Sequence, residues 1–172
     1  MKKQKNKNIT PINSLDQLKN EISYKDFEYS EYFVHLCNLL PNNDKERIEI
    51  EKVDIPNFDK KGLVYVFVIN NKIFKIGHTI TSITERVQSY NCGKVEYRIA
   101  GTNSTTNYFV LQSILKLNKK VSVYAFFPDQ PEYSLFGKNY TDSFPPSKRA
   151  ENEILISFVK KYNKKPIGCT QI

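Results

Sequence analysis

The hydrophobic pattern in the middle of the chain predicts a β-hairpin. Two runs rich in β-branched and aromatic residues, 63–69 and 72–76, are separated by Asn70 and Asn71. Asparagine tolerates the positive φ values that tight hairpin turns require, so this pair is a strong turn signal. Every position of the first run is apolar. We therefore expect that strand to be buried on both faces and to be central in its sheet.

Helix and strand patterns alternate beyond the hairpin. Ser82 and Glu85 have the spacing of a capping box, which predicts a helix that continues to about Tyr90 and ends near Gly93. A polar loop with scattered aromatic residues is expected over 128–147. The periodicity predicts four further elements: a strand over 96–100, a helix over 105–117, a strand over 121–127 and a final helix over 148–162.

The front of the chain is predicted to be helical. Ser14 and Gln17 have capping-box spacing and open a short helix. Ser30 is placed to cap a second helix, which must end before Pro41. The apolar side of that second helix would carry Phe33, Val34, Cys37 and Leu40.

Residues 44–52 favour a helix, although the alternation in IEIEKV also suits a strand.

The charge and turn signals divide the chain into three parts. We predict a basic tail over 1–10, an acidic helical N-terminal extension over 11–61 and a core with a C-terminal tail over 62–172. The expected fold class is α+β, with a small, mainly antiparallel central sheet flanked by helices.

Composition is that of a globular chain. The 172 residues have a mass of 20.1 kDa, and 40% are hydrophobic and 26% charged, which suits one domain with a real core. The longest apolar run is far shorter than the roughly 20 residues that span a bilayer, so no membrane association is expected. Three widely spaced cysteines and a basic N-terminus without an apolar stretch favour a reducing, cytoplasmic location.

Positive charge is concentrated in the two outer parts of the chain. Residues 1–10 carry four lysines and no acid, 11–60 carry 6 bases and 11 acids, and 61–172 carry 16 bases and 7 acids. The net charge of +8 is therefore the sum of +4, −5 and +9. A basic region of this size attracts polyanions, of which nucleic acid is the commonest. A merely solvated, lysine-rich surface is the alternative.

Two charged residues fall on apolar helix faces. Arg86 lies beside the stripe that Ile83, Val87 and Tyr90 form on the helix after the hairpin. Glu151 belongs to the apolar stripe of the last helix. A guanidinium facing a sheet must be paired or must face an anion, unless it extends to the helix edge. An inward carboxylate fits a divalent-metal phosphoryl site or an ordinary first-turn acid.

The hairpin supplies three further polar groups, Tyr65, Lys75 and His78. If the loop contains only Asn70 and Asn71, strand parity sends Lys75 to the face opposite Tyr65. A shared face requires a three-residue loop or a β-bulge, and the stretch 70–72 is suited to it. We predict that irregularity.

These residues together resemble the GIY-YIG nuclease superfamily. The stretch Leu63-Val64-Tyr65 corresponds to the first triplet of that family and Lys75-Ile76-Gly77 to the second. Arg86 and Glu151 follow on helices in the family's order. Leu63 replaces the first glycine and Lys75 the second tyrosine. The resemblance covers residues 62 to about 160 and is greatest to the small type II restriction endonucleases.

The resemblance implies metal-dependent hydrolysis of DNA, with one Mg²⁺, or another divalent cation such as Mn²⁺, per active site. Glu151 would be its sole protein ligand, and Tyr65 the general base, assisted by Lys75. His78 is the rival base, since its ordinary pKa lies nearer neutrality. Arg86 would bind the nonbridging phosphate oxygens.

A restriction enzyme that cuts double-stranded DNA symmetrically implies a homodimer. By elimination, base contacts are expected from segments outside the hairpin, where Lys94 and Arg98 are candidates for contact with DNA. Lys148 and Arg149 lie beside Glu151 at a helix N-terminus and are expected to contact phosphates. Two alternatives stay open: a noncatalytic nucleic-acid-binding module of the same fold, and a repair or homing nuclease. A basic protein-interaction domain is a third.

Overall fold

The computed structural model describes residues 15–42, 44, 47–92, 103–118 and 120–169. Its main feature is a five-stranded sheet in the order β2-β1-β5-β3-β4, in which all neighbours are antiparallel. The strands are β1 (Val34–Asn42), β2 (Arg47–Lys52), β3 (Leu63–Ile69), β4 (Lys72–Thr79) and β5 (Val121–Phe126). Helices accompany the sheet, so the predicted α+β class with a mainly antiparallel sheet is confirmed.

The helices divide between the two faces of the sheet. They are a one-turn α1 (Ile55–Phe58), α2 (Ile83–Asn91), α3 (Asn103–Asn118) and α4 (Pro146–Tyr162). Buried residues of α2 and α3 belong to the same apolar cluster as Tyr65 and Phe67 of β3. Ile154 and Phe158 of α4 pack instead with Val64 and the other residues of the opposite face. The sheet therefore has one core on each side.

Strand β3 lies in the interior of the sheet, as its uninterrupted apolar run predicts. All seven of its residues are buried. The turn after it contains only Asn70 and Asn71, both at positive φ, with values of 48° and 62°. This is the two-residue turn that asparagine favours.

The predicted helical front of the chain is wrong in its central part. Residues 34–42 and 47–52 form β1 and β2, and within the described residues that precede them, from Leu15 onward, the helical elements are 3₁₀ turns over Leu15–Leu18, Tyr24–Asp26 and Ser30–Tyr32. Strand β1 is paired on both sides, and Leu36, Cys37, Asn38 and Leu39 are consecutive buried residues. Contiguous burial of this kind is typical of an interior strand covered on both faces, and it outweighs the local helical spacing.

The later elements agree with the sequence, with one addition. The capping box at Ser82 and Glu85, the helix α2 and the helices α3 and α4 are present within a few residues of their predicted bounds. The stretch predicted as a loop over 128–147 contains a small hairpin of β6 (Glu132–Leu135) and β7 (Lys138–Thr141). The strand predicted over 96–100 lies outside the described residues. No described helix is long and apolar enough to cross a bilayer.

Candidate active site

A cavity of about 590 Å³ opens beside β4, the edge strand of the sheet. It is bounded by β3, by the N-terminal ends of α2 and α4, and by a 3₁₀ turn near the C-terminus, Ile167–Cys169. The structure brings all five predicted catalytic residues to its walls, together with one predicted DNA contact: Tyr65, Lys75, His78, Arg86, Glu151 and Lys148.

Tyr65 lies at the floor of this cavity with no measurable exposed surface. Its ring stacks on Phe67, with 4.8 Å between ring centroids, and Gly77 of β4 lies directly opposite it. The hydroxyl is within 2.8 Å of the Tyr90 hydroxyl. Packing thus fixes the phenol ring and leaves its oxygen to polar partners.

Arg86 connects the two phenols. Its Nε donates to the Tyr65 hydroxyl at 3.3 Å and to the Tyr90 hydroxyl at 3.1 Å. The guanidinium also lies over the Tyr90 ring, 4.9 Å from its centroid. The reciprocal capping box at Ser82 begins the helix so that Arg86 faces the cavity while Ile83 is buried. The prediction of a guanidinium beside the apolar stripe is confirmed.

The phenol of Tyr65 is subject to opposing electrostatic effects. Burial raises its pKa above the ordinary value of 10.0, and the charge of Glu151 acts in the same direction. The Arg86 charge and the hydrogen bonds from Tyr90 and Arg86 lower the pKa of Tyr65. Burial dominates, so the phenol is protonated at neutral pH.

Lys75 reaches the Tyr65 side of the sheet because β4 contains a bulge. Phe67 pairs with Lys75 but the next residue, Val68, pairs with Ile73, so one extra residue, Phe74, is inserted in β4. The predicted irregularity is present. Its predicted place is wrong, since the turn is regular and the extra residue lies three positions beyond it.

The bulge places Lys75 in a desolvated position. Burial lowers the pKa of Lys75 from its ordinary value of 10.5, and the nearby Arg86 charge acts in the same direction. The charge of Glu151 raises the pKa of Lys75 and partly offsets burial. The positive charge of the Lys75 ammonium therefore favours the binding of an anion in the cavity.

Glu151 lies in the second turn of α4 and faces the cavity. Its side chain is 14% exposed, and Oε2 is 3.3 Å from the Lys148 Nζ and 3.8 Å from the His78 Nε2. Glu153, two residues later, is exposed. The prediction that Glu151 lies on the inward face of the last helix is confirmed.

His78 follows Gly77 on β4, and each of its ring nitrogens lies near a polar side chain. Nδ1 is 3.4 Å from the hydroxyl of the buried Ser147, and Nε2 faces Glu151. Burial lowers the pKa of His78 from 6.5, and the charges of Lys148 and Arg86 lower it further, while Glu151 raises it. The imidazole is therefore neutral at pH 7.

The four predicted DNA contacts have different positions. Lys148 lines the cavity. Arg149 instead forms an ion pair with Asp142 at 2.5 Å, lies over the Phe144 ring and is not among the residues of the cavity wall. Lys94 and Arg98 lie outside the described residues.

The sequence does not identify several residues of the site. Tyr90 is predicted only as part of an apolar stripe, although its i, i+4 spacing from Arg86 could have indicated their contact. Lys165 and Cys169 carry no sequence signal, because they reach the cavity through tertiary packing alone, and neither does Ser147, which contacts His78 behind the cavity wall.

The charges of the cavity suit a phosphate together with a divalent cation. One carboxylate, Glu151, faces three lysines and Arg86 in the wall. Mg²⁺ commonly takes one or two carboxylates and completes its shell with water and substrate phosphate, so a single glutamate is a sufficient protein ligand. The described residues contain no group of three or more His, Cys, Asp or Glu side chains that could hold a metal by themselves.

Comparison with solved structures identifies the family. The chain matches a structure described as restriction endonuclease HPY188I in complex with product DNA, with 66% sequence identity over 100% of this chain and 98% of that chain and a TM-score of 0.69. The chain belongs to the HPY188I family of restriction endonucleases. The match spans the full length of the chain, which includes every residue of the cavity wall.

A second solved structure is similar in fold to this chain. A mutant of bacteriophage T4 EndoII matches with 21% identity over 78% of this chain and 92% of that chain, with a TM-score of 0.56. At this identity the likeness concerns the fold alone. No protein-family model and no curated protein matches the chain.

Proposed function

We propose that this chain is a type II restriction endonuclease that hydrolyses phosphodiester bonds of double-stranded DNA at a specific short sequence. The observation that carries the proposal is the convergence of Tyr65, Arg86 and Glu151, from three separate elements, on one cavity. Family membership supports it, because the HPY188I structure contains product DNA.

We further assign the chain to the GIY-YIG nuclease superfamily. The two triplets, Leu63-Val64-Tyr65 and Lys75-Ile76-Gly77, lie on the paired strands β3 and β4. The arginine helix and the glutamate helix follow in the family's order. Their contribution to one cavity supports the assignment more strongly than the short motif does.

Arg86 and Lys148 would bind the scissile phosphate. The Arg86 Nε is engaged by Tyr65 and Tyr90, while Arg86 as a whole lines the cavity. A guanidinium held in this way offers planar donors to nonbridging oxygens and stabilises charge that develops in the transition state. Lys148, at the start of α4, adds positive charge where the helix dipole also favours an anion.

Tyr65 is the proposed general base. Its hydroxyl is close to Arg86, which stabilises the phenolate that forms when the phenol loses its proton. A water molecule in the cavity would transfer its proton to that phenolate as its oxygen attacks phosphorus. His78 is the rival, because its neutral imidazole can already accept a proton at pH 7.

Glu151 is the residue that would hold one Mg²⁺ or Mn²⁺. When bound there, such an ion polarises the phosphate and stabilises the leaving oxygen. Glu151 presents its carboxylate at the cavity wall, and Lys148 and His78 orient it. The surrounding lysines would disfavour a metal without a phosphate to balance their charge, so Glu151 would bind the ion best when DNA is present.

Symmetric cleavage would require a homodimer with one such cavity for each DNA strand. The basic residues 1–10, outside the described part of the chain, are further candidates for contact with the DNA backbone.

Digestion of a plasmid by the purified protein tests this proposal. We expect discrete fragments with Mg²⁺ and intact DNA with a chelator. A smear would indicate a nonspecific or repair nuclease. Intact DNA that is nevertheless bound would indicate a noncatalytic module, and an absence of both cleavage and salt-sensitive binding would reject a nucleic-acid function.

A further inference from the structure

The 3₁₀ turn near the C-terminus, Ile167–Cys169, places a cysteine thiol against the outer edge of β4. Strand edges present backbone groups that need partners. The backbone N–H of Ile76 donates to the Sγ of Cys169 at 3.3 Å, and the thiol donates back to the Ile76 carbonyl at 3.1 Å. Cys169 therefore completes both backbone hydrogen bonds of one residue of the strand.

The residue before this cysteine, Gly168, is also constrained, because it packs closely against the strand. A Cβ on Gly168 would lie 2.8 Å from both the ring Cε1 and the backbone oxygen of Phe74. Gly168 is buried, and only a glycine allows the chain to approach Phe74 so closely. Phe74 is the extra residue of the bulge in β4.

The two contacts therefore lie on either side of Lys75. Gly168 packs on the residue before it and Cys169 binds the residue after it. The bulge between them directs Lys75 to the Tyr65 side of the sheet. A regular strand here would turn Lys75 away from the cavity.

We propose that Gly168 and Cys169 are positioning residues for the cleavage reaction, which fix the β4 bulge from its outer edge and so hold Lys75 in the active site. The inference rests on the proposed function and deepens it. Cys169 acts through backbone hydrogen bonds, as donor and acceptor at once. Burial raises the pKa of the Cys169 thiol, so it keeps the proton that it donates.

The test compares single-turnover cleavage by Cys169→Ala, Cys169→Ser and Cys92→Ala. The alanine at 169 should lower the rate about tenfold and leave the Kd for DNA within about twofold, because a small displacement of a catalytic group affects the rate more than binding. A serine hydroxyl can also donate and accept, so it should restore most of the rate. Cys92 is an exposed thiol at the end of α2, and its replacement should change nothing.

A double-mutant cycle separates positioning from simple destabilisation. In a Lys75→Met background, Cys169→Ala should cause no further loss of rate, because its effect passes through Lys75. A loss of about tenfold in both backgrounds would overturn the inference. An unchanged rate in Cys169→Ala alone would also overturn it.

Amide hydrogen exchange gives a readout that needs no cleavage. The Ile76 amide should exchange at least about tenfold faster in Cys169→Ala than in the wild type or Cys92→Ala, because its acceptor is lost. Unchanged exchange refutes the inference whatever the cleavage assay gives. If the wild-type protein cleaves no DNA, the proposed function fails, and faster exchange would then show a structural role for Cys169 only. Gly168→Ala, which pushes on Phe74, is the second variant if Cys169→Ala does not fold.

Discussion

Gly77 and Tyr65 face each other across β3 and β4 so closely that residue 77 has no room for a side chain. A Cβ atom on Gly77 would lie 2.6 Å from both the Cζ and the hydroxyl oxygen of Tyr65. The glycine of the Lys75-Ile76-Gly77 triplet is therefore required by packing. Its φ is not in the left-handed region, so backbone freedom is not the reason.

Replacement of this glycine should displace the phenol. In Gly77→Ala the ring of Tyr65 has to move, which we expect to lower the free energy of unfolding by about 1–3 kcal/mol. Cleavage should fall by about 10²-fold, since misplacement of a reacting group by an ångström has this effect. Thermal unfolding and single-turnover cleavage measure the two effects.

Gly62→Ala is the matched control. Gly62 has a φ of +74°, and a Cβ added there would meet no atom within 4 Å, so alanine strains the backbone without touching Tyr65. We expect lower stability and a normal cleavage rate. Equal loss of cleavage in both variants would show that instability, rather than displacement of Tyr65, accounts for the result.

The pH dependence of cleavage should distinguish the two candidate bases. A base must be deprotonated, and burial raises the pKa of Tyr65 above 10.0, so its active fraction and the rate should rise from about pH 7 to about pH 9. His78 has a pKa lowered below 6.5, so a histidine base would give a flat profile over that interval. A flat profile, with cleavage retained in Tyr65→Phe, would transfer the role to His78.

Tyr90 should tune the phenol of Tyr65 through their shared hydrogen bond. The 2.8 Å contact lowers the pKa of Tyr65, so Tyr90→Phe should raise that pKa and move the pH profile of cleavage to higher pH. At pH 7 the rate should fall by about tenfold, equivalent to the loss of one hydrogen bond of about 1.4 kcal/mol. DNA affinity should not change. A lower rate with an unshifted profile would contradict this mechanism.

Local signals explain what the sequence predicts well. The turn at Asn70 and Asn71, the capping box at Ser82 and the burial of β3 each depend on neighbouring residues or on one periodic run. Arg86 and Glu151 stand out because a charge on an apolar helix face conflicts with its surroundings. The residue pattern alone reveals conflicts of this kind, so it indicates a site as well as a fold.

Long-range pairing explains what the sequence predicts badly. Strand β1 has apolar residues at helical spacing, and only its pairing with β2 and β5 makes it a strand. Phe74, the extra residue of the β4 bulge, packs against Gly168, which is distant from it along the chain. The residues of the hairpin therefore predict neither the position of the bulge nor the C-terminal turn that packs beside it.

Removal of the Glu151 charge should separate binding from cleavage. Glu151→Gln keeps the shape of the side chain but weakens its hold on a divalent cation, so cleavage should fall by at least about 10²-fold. DNA affinity without metal should be equal or greater, because a negative charge is lost from a cavity lined by Lys148 and other cations.

Glu153→Gln is the control for this prediction, because it removes the same charge from the same helix at an exposed position. We expect Glu153→Gln to cleave DNA at the wild-type rate and to bind Mn²⁺ as the wild type does in the presence of an uncleavable DNA duplex. Mn²⁺ binding by Glu151→Gln should be lost under those conditions, measured by electron paramagnetic resonance. Since the surrounding lysines oppose a lone cation, wild-type binding should weaken when the DNA is omitted. Equal Mn²⁺ binding by the two variants would remove Glu151 from the metal site.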